Sequence, residues 1–484
     1  MNFNIDFKNS YVDLPKNFYA RLKPETVKAP KLIKINEKLA ENLGIDLSNI
    51  EISNLEDVFS GNKILSNSDP IAMAYAGHQF GHWVPQLGDG RALLLGEVIS
   101  KDGLRKDIQL KGSGKTPFSR SGDGRAWIGP VIREYILSEA MNALSIPTTR
   151  ALSIIKTGES IVREEVYPGA ILTRVASSHV RVGTFQYFAA QKDIKSLKIL
   201  TDYVLDRHYP ECSKSQHKYL KFLQAVALKQ AFLVAKWMSV GFIHGVMNTD
   251  NTSITGETID YGPCAFMDHF KYNKVFSSID EMGRYSYKNQ PEIMKWNLAC
   301  LASCLLPLIN EDENLAISEA QIVIDSIADN YEKFWIENFR SKLGLSNKLI
   351  EDKNLINNLL DLMQKNNLDF TISFRELIKI DNEDSLFNNI PELMEWKLKY
   401  KARLNQENNN SIKRVKKMKF NNPLYIPRNH IIENIINEAL NNNYDQFHNF
   451  YKCLTNPFEE KKEYKKYSKA PLDSERVYRT FCGT

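Results

Sequence analysis

The sequence predicts an α+β fold in two lobes, a β-rich N-lobe followed by a helical C-lobe, with an extension at each end. Three observations carry that expectation. A β-hairpin ending in Lys111 is followed by an amphipathic helix carrying Glu134. A long apolar helix is followed by an Asp250-Asn251 loop and then by Asp260-Tyr261-Gly262. Glycines are dense between residues 71 and 130, ahead of the helical part. Strand lysine, helix glutamate, loop Asp/Asn and Asp-aromatic-Gly, in that order, are the parts of a protein-kinase-like fold, which holds ATP between its lobes.

Each element has its own signal. "KLIKINEKLAENLGI" (31–45) reads as a helix closed by Gly44 as its C-terminal cap. "RALLLGEVIS" (91–100) and "RKDIQLKG" (105–112) flank "KDG" (101–103), an antiparallel hairpin with a glycine turn. In "PVIREYILSEAMNAL" (130–144), Pro130 suits a first helical position, and Val131, Ile132, Tyr135, Ile136, Ala140 and Leu144 form one apolar face. "GAILTRVA" (169–176) reads as a strand and "YLKFLQAVALKQAFLVAKWMSVGF" (219–242) as a long helix. Residues 243–268 read as loops and short strands, with a small hairpin turning at Thr255-Gly256, and 290 to 450 as mainly helical. The expected division is an N-terminal extension (1–70), an N-lobe with nucleotide-binding loops (71–190), a C-lobe with catalytic and metal loops (191–450) and a tail (451–484).

Bulk properties remove several classes. A chain of 484 residues, 43% hydrophobic and 25% charged, is an ordinary globular sequence long enough for more than one lobe. Its net charge of +5 is spread without a dominant basic run, so no nucleic-acid partner is expected. No apolar stretch reaches the ~20 residues of a membrane helix; "LACLASCLLPLI" (298–309) reads as a buried helix, and no membrane partner is expected. The start "MNFNIDFKNS" has no apolar signal core, and Asp6 argues against a transit peptide, so a cytoplasmic location is expected; the chain is also expected to act as a monomer. The six cysteines lack zinc-type CxxC pairs and do not form a disulfide scaffold. Cys300 and Cys304 share a helix face as small buried residues, whereas Cys482, near the chain end, is a redox candidate.

"KGSGKT" (111–116) imitates a phosphate-binding loop, but the first glycine that motif needs is replaced by Gln109. The lysine singled out is therefore Lys111, at the strand end, rather than Lys115. Glu134, one turn into the next helix, is chosen over Glu139 as its ion-pair partner. Asn251 and Asp260 offer the hard oxygens that Mg²⁺ takes, leaving Asp250 to orient or deprotonate a nucleophile. The usual kinase loop places Asn five residues after the Asp; here the two are adjacent, which departs from ordinary kinase chemistry. Gly-Asp-Gly-Arg occurs twice, at Gly88–Arg91 and Gly122–Arg125, where close backbone approach and an Arg can meet phosphate. Arg174 and Arg181 could clamp a triphosphate. His78 and His82 in "GHQFGH" stand four apart, but Gln79 follows the first and glycines disfavour a helix, so a polar structural loop is expected rather than zinc.

Taken together, "AYAGHQFGHWVPQLGDGRA" (74–92), "LKGSGKTPFSRSGDGRA" (110–126), "REYILSEAM" (133–141), "LTRVASSHVRVGTFQ" (172–186), "GVMNTDNTSITGETIDYGP" (245–263), "NNPLYIPRNH" (421–430) and "YRTFCGT" (478–484) resemble the selenoprotein O family over essentially the whole chain. The resemblance implies a pseudokinase-like protein adenylyltransferase. ATP would lie flipped relative to ordinary kinases, AMP would pass to protein Ser, Thr or Tyr hydroxyls, and pyrophosphate would leave. Gly88, Gly90, Arg91, Lys111, Asp123 and Gly124 would contact ATP, and Arg174 and Arg181 would hold the buried end of the triphosphate. Asp250 would accept the proton, Asn251 and Asp260 would hold Mg²⁺ or Mn²⁺, and Lys111–Glu134 would bridge the lobes. Some relatives pair a tail cysteine or selenocysteine with a cysteine in the loop after the metal Asp. Here Cys264 is the only cysteine in that loop, so the corresponding redox pair would be Cys264–Cys482. Phosphoryl transfer by the same cleft, or a non-catalytic nucleotide-binding scaffold, are the alternatives.

Overall fold

The computed structural model describes residues 4–407 and 410–481. The N-terminal half is built on an antiparallel sheet of β1 (Tyr19–Arg21), β2 (Lys31–Ile35), β3 (Ile71–Met73), β6 (Ala92–Ile99), β7 (Arg105–Lys111), β8 (Ala126–Trp127), β9 (Arg150–Val162) and β10 (Val166–Ala176), in the order β1-β3-β6-β7-β10-β9-β2 with β8 paired to β10. Two small hairpins stand apart from it, β4 (Gly77–Gln79) with β5 (His82–Val84), and β11 (Phe242–Ile243) with β12 (Ala265–Phe266).

The period-two alternation of β7 explains its place. Ile108 and Leu110 enter an apolar core shared with Leu39, Val58 and Phe59, while Gln109 and Lys111 point to the other face. β10 runs alongside with Arg174 opposite Gln109 and Leu172 opposite Lys111. Ile171 and Val175 enter the same core, so Arg174 shares the polar face with Lys111. Across that face lies a helix, Ile128–Ala143, buried along most of its length.

The remainder is mainly helical. Helices Val182–Ala190, Lys218–Ser239, Gln290–Ile309 and Glu313–Leu343 surround one large apolar core, and shorter helices continue to Leu454. Asn429–Leu440 and Asp445–Leu454 return to pack on Ile128–Ala143. At the end of the described chain, Thr480 pairs with Ser277, and its hydroxyl donates to the Pro263 carbonyl (2.5 Å). Within the helical half Lys342 is buried, its Nζ 4.4 Å over the Phe374 ring and 3.5 Å from the Asn421 carbonyl. Burial pushes its amine down to about 7.

Four expectations need correction. Residues 31–45 are not one helix: Lys31–Ile35 is a strand paired to β9, and only Glu37–Asn42 is helical. The β-branched Ile33 and Ile35 alternate with lysine in the strand period, and Asn36 caps the helix by accepting from the Leu39 amide (3.2 Å). Gly44 does adopt the left-handed conformation (φ +75°). The long helix stops at Ser239, because Gly241 turns the chain into β11. The Thr255-Gly256 turn exists, but its flanks do not pair with each other: Ser253 bridges to Arg181 and Thr258 to Thr148. Finally, the apolar run at 298–309 belongs to a longer stretch, Tyr287–Ile309, which by length and composition could cross a membrane. Here it packs in the interior through Leu298, Leu301 and Leu305.

Candidate active site

The polar face of β7 and β10 opens onto a cleft of about 860 Å³ between the sheet and the helical half. Gly88, Gly90, Arg91, Lys111, Asp123, Gly124, Glu134, Arg174, Arg181, Asp250, Asn251 and Asp260 all line it. Chain segments more than 150 residues apart thus meet in one space. Lys115, the lysine of the imitation phosphate loop, is exposed outside it.

The floor is an ion cluster, with Glu134, Arg174 and Arg181 buried and Lys111 and Asp260 half-buried at the cleft. Lys111 Nζ lies 2.6 Å from Glu134 Oε2 and 3.1 Å from Asp260 Oδ1. Arg174 donates from Nε to Glu134 Oε1 (2.8 Å) and from Nη2 to Asp260 Oδ1. Arg181 donates from Nη1 to Asp260 Oδ2 (2.7 Å) and to the Asp250 carbonyl (2.7 Å). Three cations therefore face two carboxylates. Burial, the largest single influence, would raise Asp260 and Glu134, but the cations together outweigh it, Arg174, Arg181 and Lys111 at Asp260 and Arg174 and Lys111 at Glu134, so both carboxyls lie below their ordinary values. Glu139, the alternative helix glutamate, is elsewhere, held by Arg150 at 2.7 Å and by Asn36 at 2.8 Å.

Asp250 and Asn251 lie in a short 3₁₀ turn beside this cluster. Burial pushes the Asp250 carboxyl up to about 6, against the opposing pull of the Gln79 hydrogen bond and Arg181. Its Oδ2 accepts from Gln79 Nε2 (3.1 Å), and its Oδ1 is buried without a hydrogen-bond partner. Asn251 spends its amide nitrogen on the Val246 carbonyl (3.0 Å). Asp260 itself sits at φ +63°.

The glycines of the opposite lip have a packing cause. A Cβ on Gly88 would stand 2.3 Å from the Phe118 ring, and one on Gly90 would stand 2.8 Å from the Phe118 carbonyl. Residues 88–90 and 114–124 are thus interlocked loops, and Gly124 (φ +69°) lies directly against the Gly114 carbonyl. Asp123 is clamped by Arg163 through two bonds of 2.8 and 2.9 Å.

The family model described as protein adenylyltransferase SelO matches residues 1–455. The chain belongs to the SelO family. It is 51% identical over 491 residues to a protein nucleotidyltransferase YdiU of Bradyrhizobium diazoefficiens, with all of both chains covered. It is 49% identical over 492 residues to one of Rhodopseudomonas palustris, again over all of both chains. With one of Rhizobium rhizogenes the identity is 50% over 488 residues, covering 99% of this chain and 97% of that one.

Within this SelO-family cleft several residues were not singled out from sequence. Gln79 holds Asp250, and Arg163 holds Asp123. Gln109 accepts from Arg174 (3.4 Å) and donates to buried Asp89 (3.2 Å), so the residue that spoils the phosphate-loop motif supports the arginine. The Tyr75 ring lies 4.7 Å from the Arg181 guanidinium. "GHQFGH" forms a hairpin rather than an irregular loop. Cys264 is buried next to the Pro263 carbonyl that receives Thr480, and lies outside the cleft. Cys482 lies outside the described residues.

Proposed function

We propose that this cleft transfers AMP from ATP to Ser, Thr or Tyr hydroxyls of proteins, within a kinase-like two-lobed frame that turns the triphosphate inward. The observation that carries the reading is the convergence of Lys111, Arg174 and Arg181 at the floor, with Asp250 beside them. Inward phosphates need several cations deep in a site of low dielectric, and two of these cations are arginines that stay charged. With the outer phosphates at the floor, the α-phosphorus is the one left facing an acceptor.

In the proposed step an acceptor hydroxyl oxygen bonds to the α-phosphorus, and its proton passes to the Asp250 carboxylate. The bond from the α-phosphorus to the oxygen bridging to the β-phosphate breaks, and pyrophosphate leaves with that electron pair. Lys111, Arg174 and Arg181 hold the leaving phosphates, so the protein's part is mainly positioning and charge neutralisation. Asn251, whose side-chain oxygen is not spent on the Val246 bond, and Asp260 form a hard-oxygen pair suited to Mg²⁺ or Mn²⁺. When bound, the metal neutralises phosphate charge. Both Asp260 oxygens are engaged by cations here, so Asp260 would hold a metal only where phosphate took those cations from it.

Incubation with α-labelled and γ-labelled ATP tests the reading. Label reaching protein only from the α-position is expected. Transfer only from the γ-position would make the protein a phosphoryl transferase, and ATP binding without transfer would make it a scaffold. Lysine variants test the floor separately. Lys111→Ala is expected to weaken ATP binding by about tenfold or more, the scale of a charge-assisted contact, and Lys115→Ala to leave it unchanged. Equal losses would remove Lys111 from its assigned place.

A further inference from the structure

The hairpin β4–β5 belongs to the sheet-bearing half by sequence, yet it grips three successive residues of the catalytic loop. The Phe80 amide donates to Asn248 Oδ1 (3.1 Å), the His78 amide to Thr249 Oγ1 (2.7 Å), and Gln79 Nε2 to Asp250 Oδ2 (3.1 Å). Its two-residue turn, Phe80-Gly81, has φ of +52° and +85°, the signature of a tight hairpin turn. A bulky Phe rarely takes that conformation, and such strain persists only where surroundings over-determine it. Here the Phe80 ring rests 5.0 Å from Tyr285, whose hydroxyl donates to the same Asn248 oxygen (2.7 Å).

We propose that Gln79 is a positioning residue for nucleotidyl transfer, fixing the orientation of the Asp250 carboxylate from the hairpin packed against it. The inference rests on the reading of Asp250 as the proton acceptor. Three features support it. Gln79 is the only side chain bonded to the Asp250 carboxylate among the described residues. Gln79 and Phe80 themselves line the cleft. Gly77 leaves room for the other oxygen: a Cβ there would stand 2.7 Å from Asp250 Oδ1. The carboxylate is therefore held on one side by an amide donor and seated on the other against bare backbone.

The test is steady-state transfer from α-labelled ATP by full-length variants, with ATP binding measured in parallel. Gln79→Met keeps side-chain length but removes the donor, and Gln79→Glu replaces the donor with a negative charge. The expected order of kcat is Gln, then Met, then Glu, with Met down by about ten- to hundredfold, the scale of a misplaced catalytic group. For Gln79→Met the KM for ATP is expected to stay within about twofold, because no charge in the cleft changes, whereas the added charge of Gln79→Glu is expected to raise it. A role confined to packing would lower stability without this split or this order. Gly77→Ala keeps the β4–β5 pairing but pushes Asp250 away from the Gln79 amide, so it should lower kcat likewise; it serves if Gln79→Met fails to fold. Unchanged kcat in Gln79→Met and Gly77→Ala, with Asp250→Ala inactive, would overturn the inference alone. Full transfer by Asp250→Ala would overturn the underlying reading and the inference with it.

Discussion

Asp260→Asn is expected to lose the proposed metal-dependent AMP transfer by on the order of 10³-fold or more, with ATP binding in the presence of a chelator kept or tightened. The two halves of this result have one cause. The Asp260 carboxylate is bonded to Lys111, Arg174 and Arg181 together, as a bound anion would be. A triphosphate must compete with it for those cations. Removing the charge would end that competition and also remove the proposed hard metal ligand, so affinity and turnover are expected to move in opposite directions. Equilibrium binding with chelator, set beside transfer with Mg²⁺ or Mn²⁺, reads both. Full transfer would refute the ligand assignment, and loss of metal-free binding would refute the competition.

Asp250→Asn is the second large effect. Loss of a positioned base costs about 10²- to 10⁴-fold, with ATP binding unchanged. The protein itself should show the corresponding pH dependence. A base works ionised, so transfer should rise with pH through the Asp250 pKa. Burial raises that value to about 6, whereas an ordinary aspartate would put the limb near ~4. An acid limb near the ordinary value would refute the assignment, as would a limb near 6 that survives in Asp250→Asn.

Much of this site was legible because its parts are local patterns. Lys111 is marked by its strand end, Asp250-Asn251 and Asp260-Tyr261-Gly262 by spacing, and Glu134 by one helical turn. Their meeting in one cleft follows from the order of elements. Gln79 and Arg163 left no such mark, since their partners lie 171 and 40 residues away and a hydrogen bond between distant segments has no sequence period. The lip glycines were read through phosphate, yet Gly88 and Gly90 are also required by Phe118, which packs against them. In the fold, Lys31–Ile35 was misread because apolar residues at 32, 33 and 35 serve a helix period or a strand period equally. Pairing with β9 decides between them.

The sequestered amine of Lys342 gives the helical half a native reporter. Burial holds this amine well below the ordinary lysine range, which favours its nucleophilic free base. Reaction with an acylating reagent is barred by the side chains around it and becomes fast only when the bundle opens. The labelling rate at this single position would measure local breathing of that half, in the intact protein, without a fluorophore, an isotope or an engineered cysteine.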